Sequence, residues 1–123
     1  MGLDTYASRS PERVRLTYED LVAFKEADIR LCVGLFSGVP GSFRGKVYNP
    51  IVEEVTGVSL YRGWIPPETV KAMAEALNGY EPQKLKKLAA SKYEMDYRIE
   101  EIVDLQRFFK ICAERGLGLI GEW

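Results

Sequence analysis

Ser42, Arg44 and Lys46 close the glycine-rich stretch Gly34-Leu-Phe-Ser-Gly38-Val-Pro-Gly41-Ser-Phe-Arg44-Gly45-Lys46, and their types suit anion chemistry. Backbone amides in a glycine-rich turn can cradle phosphate, with Arg44 and Lys46 supplying positive charge. A nucleotide-hydrolase loop needs four residues between its glycine and Gly-Lys, then Ser or Thr for magnesium. Here three residues separate Gly41 from Gly45, and Val47 follows Lys46, so that motif is absent. The stretch at 34–46 therefore reads as a structural loop, or as a weaker anion site using Ser42, Arg44 and Lys46.

A second concentration of chemistry is Tyr61-Arg62-Gly63-Trp64-Ile65-Pro66-Pro67. Tyr, Trp and Arg are the residue types that anchor partner interfaces, which makes Tyr61, Arg62 and Trp64 candidates for a binding surface. The same residues can serve packing instead: Ile65 as a hydrophobic staple to the following helix, and Trp64 as a cover for the core.

Other groupings are weaker. Asp4 and Tyr6 would meet Glu122 and Trp123 if the two ends of the chain pair as strands, giving a possible acid–base pair. Glu53-Glu54 and Glu100-Glu101 are sequence neighbours, so on a helix their side chains diverge by about 100° and do not share one site. Lys84, Lys86, Lys87 and Lys92, followed by Tyr93 and Tyr97, form a basic and aromatic cluster of the kind that binds single strands. On a domain with a formal net charge of −1 that cluster reads as a solvated face, so nucleic acid is an unlikely partner. Histidine is absent, which excludes His-based triads, His proton shuttles and imidazole metal sites. Cys32 and Cys112 lack Cys-x-x-Cys spacing and sit among apolar neighbours, as two reduced core thiols would. No catalytic residue, metal site or cofactor is indicated.

The elements that must position these residues follow from periodicity. Leu3, Thr5 and Ala7 alternate with Asp4, Tyr6 and Ser8, predicting a strand at the first residues. Ser8 to Arg15 is polar and reads as an exposed loop. Thr17 is placed to cap a helix with Leu21, Phe24 and Ala27 inward, ending near Asp28. Ile29, Leu31, Val33 and Leu35 alternate with Arg30, Cys32, Gly34 and Phe36, predicting a buried strand, with a continued helix as the competing reading. Asn49-Pro50 predicts a helix start, with Asn as cap and Pro at the first position, running to Gly57. Val58 to Tyr61 would add a short extended segment. Further helices are expected from Pro66-Pro67 to Asn78-Gly79, from Pro82, and from about Asp96 to Arg115 with Gly116 as the cap residue. The tail Leu117–Trp123 reads as a terminal strand. An isolated strand pair is marginal, so both ends should join a small sheet: an α+β domain of four to five helices on a sheet that includes the N- and C-terminal strands.

The chain has 123 residues, 46% hydrophobic and 28% charged, which suits a single globular domain over 1–123 with a core of its own. No secretory signal is visible, and no apolar run approaches the length needed to span a bilayer, so no membrane association and a cytoplasmic setting are expected.

The opening Met-Gly-Leu-Asp-Thr-Tyr, with Ser42-Phe-Arg-Gly-Lys-Val-Tyr48, Trp64-Ile-Pro-Pro-Glu-Thr-Val70 and the Phe108-Phe109…Cys112…Gly116-Leu117…Trp123 ending, resembles small bacterial and phage proteins that begin Met-Gly-Leu-Asp-x-aromatic. That resemblance implies an independently folding small protein and carries no activity with it. The function the sequence favours is a noncatalytic module that binds a protein partner or itself through Tyr61, Arg62 and Trp64. The alternative is a small-ligand or anion-binding protein, or an enzyme, using the loop at 34–46.

Overall fold

The computed structural model describes residues 2–12, 16–33 and 40–123. Their elements are β1 (Asp4–Ser8), α1 (Tyr18–Glu26), β2 (Ser42–Phe43), α2 (Gly45–Thr56), α3 (Pro67–Asn78), α4 (Pro82–Tyr93), α5 (Ile99–Arg115) and β3 (Gly118–Glu122). The strands form one antiparallel sheet in the order β2-β1-β3, so both ends of the chain join it as expected. The architecture is α+β.

Register fixes what each sheet face carries. Thr5 pairs with Phe43 and Gly121, and Ala7 with Leu119; Leu3, Ala7, Phe43 and Leu119 belong to the main hydrophobic core. Directly opposed residues share a face, so these face the helices. Asp4 pairs with Glu122, Tyr6 with Ser42 and Ile120, and Ser8 with Gly118, on the opposite face. The helices cover the inner face, α5 lying centrally against α3 and α4, with Ile102, Leu105, Phe108, Phe109 and Cys112 buried.

Helix boundaries follow local chemistry. Thr17 Oγ1 accepts from the Asp20 amide at 3.2 Å, and the Asp20 carboxylate accepts from the Thr17 amide at 3.2 Å, a reciprocal cap that starts α1. Gly57 and Gly116 take the left-handed conformation that ends α2 and α5.

Three expectations need correction. Residues 29–33 are irregular rather than strand or helix, and 34–36 lie outside the described residues. The amides of Arg30 and Cys32 bond to side chains, to Asp104 at 3.0 Å and to the Tyr48 hydroxyl at 2.8 Å, instead of to a neighbouring strand. The helix expected from Asn49-Pro50 starts a turn earlier, leaving Pro50 inside α2. Asn49 does not cap it, because its side-chain oxygen accepts from the Leu60 amide at 2.7 Å. The Leu3 carbonyl serves the first turn instead, accepting from Lys46 at 3.1 Å. Finally, α5 begins at Ile99 rather than near Asp96: Tyr97 turns into the core and stacks on Tyr48 with ring centroids 5.4 Å apart.

Candidate functional site

The segment 60–65 runs along the outer edge of β3 and is joined to it by backbone hydrogen bonds. Ile65 and Leu119 exchange both backbone hydrogen bonds, at 2.8 and 2.9 Å, and Gly121 donates to the Arg62 carbonyl at 3.0 Å. Two glycines of β3 permit this approach. A Cβ on Gly118 would fall 2.5 Å from both the Ile65 carbonyl oxygen and the Trp64 ring; one on Gly121 would fall 2.6 Å from the Leu60 oxygen and 2.7 Å from that of Arg62. Further bonds hold the near end, Leu60 to Asn49 and the Tyr61 amide to Ser59 Oγ at 3.0 Å.

On this fixed backbone, Tyr61 meets Trp123 edge to face, with centroids 5.5 Å apart and planes at 66°. Both rings remain open to solvent, Tyr61 at 38% and Trp123 at 57% relative exposure, and Arg62 beside them is exposed. The backbone is ordered by the sheet while the rings keep apolar area facing water. Of the three residues expected here, Tyr61 and Arg62 lie at the surface, whereas Trp64 is half-buried with its ring over Gly118. Trp64 thus serves packing. Trp123 takes its place in the aromatic surface, a pairing visible only once β3 is set beside the 60–65 segment.

The loop residues separate into two settings. Ser42 shares the outer sheet face with Tyr6, and the Arg44 guanidinium lies against Gly2, where a Cβ would be 2.6 Å from Nη2. Lys46 is exposed on the first turn of α2. Three backbone amides there are already engaged: Arg44 donates to the Cys32 carbonyl at 2.8 Å, Lys46 to the Leu3 carbonyl, and Val47 to that of Arg44 at 3.2 Å. Loop residues 34–39 lie outside the described residues.

Asp4 and Glu122 are direct cross-strand partners, so the terminal carboxylates do share a face with Tyr6, while Trp123 turns to Tyr61. Asp4, Tyr6, Ser42 and Glu122 each have an interaction partner. Of the thiols, Cys112 is buried, and burial pushes it well above its usual range; Cys32, expected in the core, is exposed. Its neighbour Leu31 takes the inward position instead. In the basic cluster, Lys86 bonds Asp96 at 3.2 Å and the Tyr97 carbonyl at 2.6 Å. Lys92 and Tyr93 both donate to Glu54 at 3.0 Å. With Tyr97 in the core, the cluster offers no run of stacking rings. Among the described residues, no group of three or more Cys, Asp or Glu side chains is placed to hold a metal ion.

Two buried polar networks had no sequence signal. Asp20 is fully buried, accepts two bonds from Arg9 at 2.7 and 2.9 Å, and accepts a third from Arg115 at 2.7 Å. Burial alone would raise its pKa, but the bonds from Arg9, Arg115 and Thr17 outweigh it and hold the carboxyl well below the usual carboxylate range. The Tyr48 hydroxyl donates to Glu101 at 2.6 Å while accepting from Cys32. Both networks tie loops to helices, and neither lies at the aromatic surface.

Comparison of the chain with protein-family models, curated proteins and solved structures gave no match. Among the described residues, no helix is long and apolar enough to cross a membrane.

Proposed function

We propose that this protein is a noncatalytic interaction module that binds a protein partner, or a second copy of itself, through Tyr61, Arg62 and Trp123. The observation that carries the reading is the solvent-exposed, edge-to-face Tyr61–Trp123 pair, presented on a segment hydrogen-bonded to β3. Aromatic and Arg side chains concentrate binding energy because they bury large area at low conformational cost. A backbone already ordered before binding lowers that cost further. Two free thiols, one of them exposed, suit a reducing cytoplasmic setting.

The test combines sedimentation over a wide concentration range with capture of bound proteins, for the native chain and for Tyr61→Ala, Arg62→Ala and Trp123→Ala. Loss of one anchor residue costs about 2 kcal/mol of binding, equivalent to roughly a thirtyfold weaker complex. A chain that stays monomeric throughout, and whose captured proteins survive all three substitutions, overturns the reading.

A further inference from the structure

We propose that residues 29–33 form a lid held shut by two side chains, Asp104 of α5 and Tyr48 of α2, and that this lid opens as one unit while the sheet and helices stay intact. The segment is irregular, with Leu31 buried in the core and Ile29 packed against it, while Arg30, Cys32 and Val33 are exposed. An extended chain advances about 6.6 Å over two residues, and side chains three apart on a helix start about 5–6 Å from one another. Glu101 and Asp104 have that helical spacing, Asp104 receiving one of two alternate amides directly and Glu101 orienting the Tyr48 hydroxyl that receives the other. The Arg30 amide donates to Asp104 Oδ2 at 3.0 Å. The Cys32 amide donates to the Tyr48 hydroxyl at 2.8 Å, and that hydroxyl donates onward to Glu101 Oε2 at 2.6 Å. In effect Asp104 of α5 and Tyr48 of α2 together supply a sheet edge built from side chains.

Such an edge differs from a backbone ladder in what it takes to open it. Residues 29–33 lie outside the β1–β2 and β1–β3 pairs; among the described residues, the Arg44 amide is the neighbouring backbone group that bonds to the segment, through the Cys32 carbonyl at 2.8 Å. Among the described residues, opening therefore breaks two side-chain latches and that bond, and withdraws Leu31 from the core and Ile29 from its packing against it. A segment held by few bonds, and carrying little of the core, opens with less free energy than global unfolding. The open state uncovers the seat of Leu31 and the hydroxyl edge of Tyr48, whose ring is stacked on Tyr97. This lid is independent of the aromatic surface at Tyr61 and Trp123.

The test is native-state amide hydrogen exchange followed residue by residue in the full chain, alone and in Asp104→Ala and Tyr48→Phe. Each substitution removes one latch and leaves the other. Because the lid moves as a unit, both variants should accelerate exchange at Arg30 and at Cys32 by tenfold or more, with α5, β1 and β3 unchanged. Acceleration only at the amide facing the altered side chain overturns the proposal, as does an equal acceleration across α5 and the sheet. The native chain provides a check that needs no variant. Exchange at Arg30 and Cys32 should change little over low denaturant concentrations; exchange that instead accelerates in step with the loss of global stability overturns the lid.

Discussion

Arg115 Nε lies 2.7 Å from Oδ1 of the buried Asp20, joining residues 95 positions apart in the chain. Arg9 approaches the same carboxylate through two of its nitrogens. One acidic side chain thus ties the exit of β1, the start of α1 and the last turn of α5. Because Asp20 is buried while both arginines are partly exposed, the three are unequal: the arginines can rehydrate when a bond breaks, and the carboxylate cannot.

Asp20→Asn should therefore lower unfolding free energy by about 2–3 kcal/mol, below the range for a fully buried pair because its cations retain water. The native carboxyl is held below its unfolded value, so its contribution is complete above about pH 4 and is lost as pH falls from there. Denaturant unfolding of both chains between neutral pH and about pH 2 should show the curves converging in acid. A constant gap would show that the charge is not what stabilises.

Tyr48 and Tyr97 predict the alkaline limb. Burial raises Tyr48 first, followed by its bond to Glu101; burial and then the Glu101 charge raise Tyr97. A raised pKa means that the stabilisation is complete below the unfolded tyrosine value of about 10 and is lost above it. Stability should fall above about pH 10, and an ultraviolet titration should show these two hydroxyls ionising only with unfolding. Ionisation of every tyrosine near pH 10 in the folded chain would contradict the burial described.

Gly121→Ala should cost about 1–3 kcal/mol, as overpacking does. The atoms nearest the new Cβ are the backbone carbonyls of Leu60 and Arg62, with Leu3 Cδ1 farther off, so the 60–65 segment must lift from β3. Thermal melts, with Trp fluorescence reporting the surroundings of Trp64 and Trp123, would register both effects. An unchanged melt would mean that the segment is not tightly seated.

The thiols should separate cleanly in reactivity. An alkylating reagent at neutral pH should label Cys32 in the folded chain and leave Cys112 untouched until denaturant is added, because the buried thiol forms little thiolate. Mass spectrometry would read one adduct before unfolding and two after. Two adducts in the folded state would place Cys112 within reach of solvent.

Much of the architecture was legible because it is written in local chemistry. The caps Thr17, Gly57 and Gly116, the helix-opening prolines Pro67 and Pro82, the alternation at the start and the short apolar tail led to the α+β class with both ends in the sheet; the register that sets Asp4 opposite Glu122 did not follow from them. What misled was local chemistry employed at long range. Asn49 looks like a cap, yet its side chain serves Leu60; residues 29–33 alternate like a strand, yet their amides reach Tyr48 and Asp104. At the aromatic surface, Tyr61 and Arg62 were readable from residue type, but Trp64 and Trp123 exchange roles through the register of β3 against the 60–65 segment. Register between distant strands leaves no mark on either one alone.

The hydrogen bonds from Leu119, Gly121 and Ile65 have a consequence for how copies of the chain meet. A strand with its peptide groups unpaired is a template on which another chain can add, and that addition has no built-in end. Here the outer edge of β3 is closed by the chain's own 62–65 segment, held to it through Ile65 and Arg62. Two molecules approaching from that side meet side chains, so their encounter is decided by the shape of a surface and can stop at a defined complex. Loosening residues 60–65 would replace that encounter with open-ended backbone pairing, and the first symptom would be fibrous growth rather than a weaker partner.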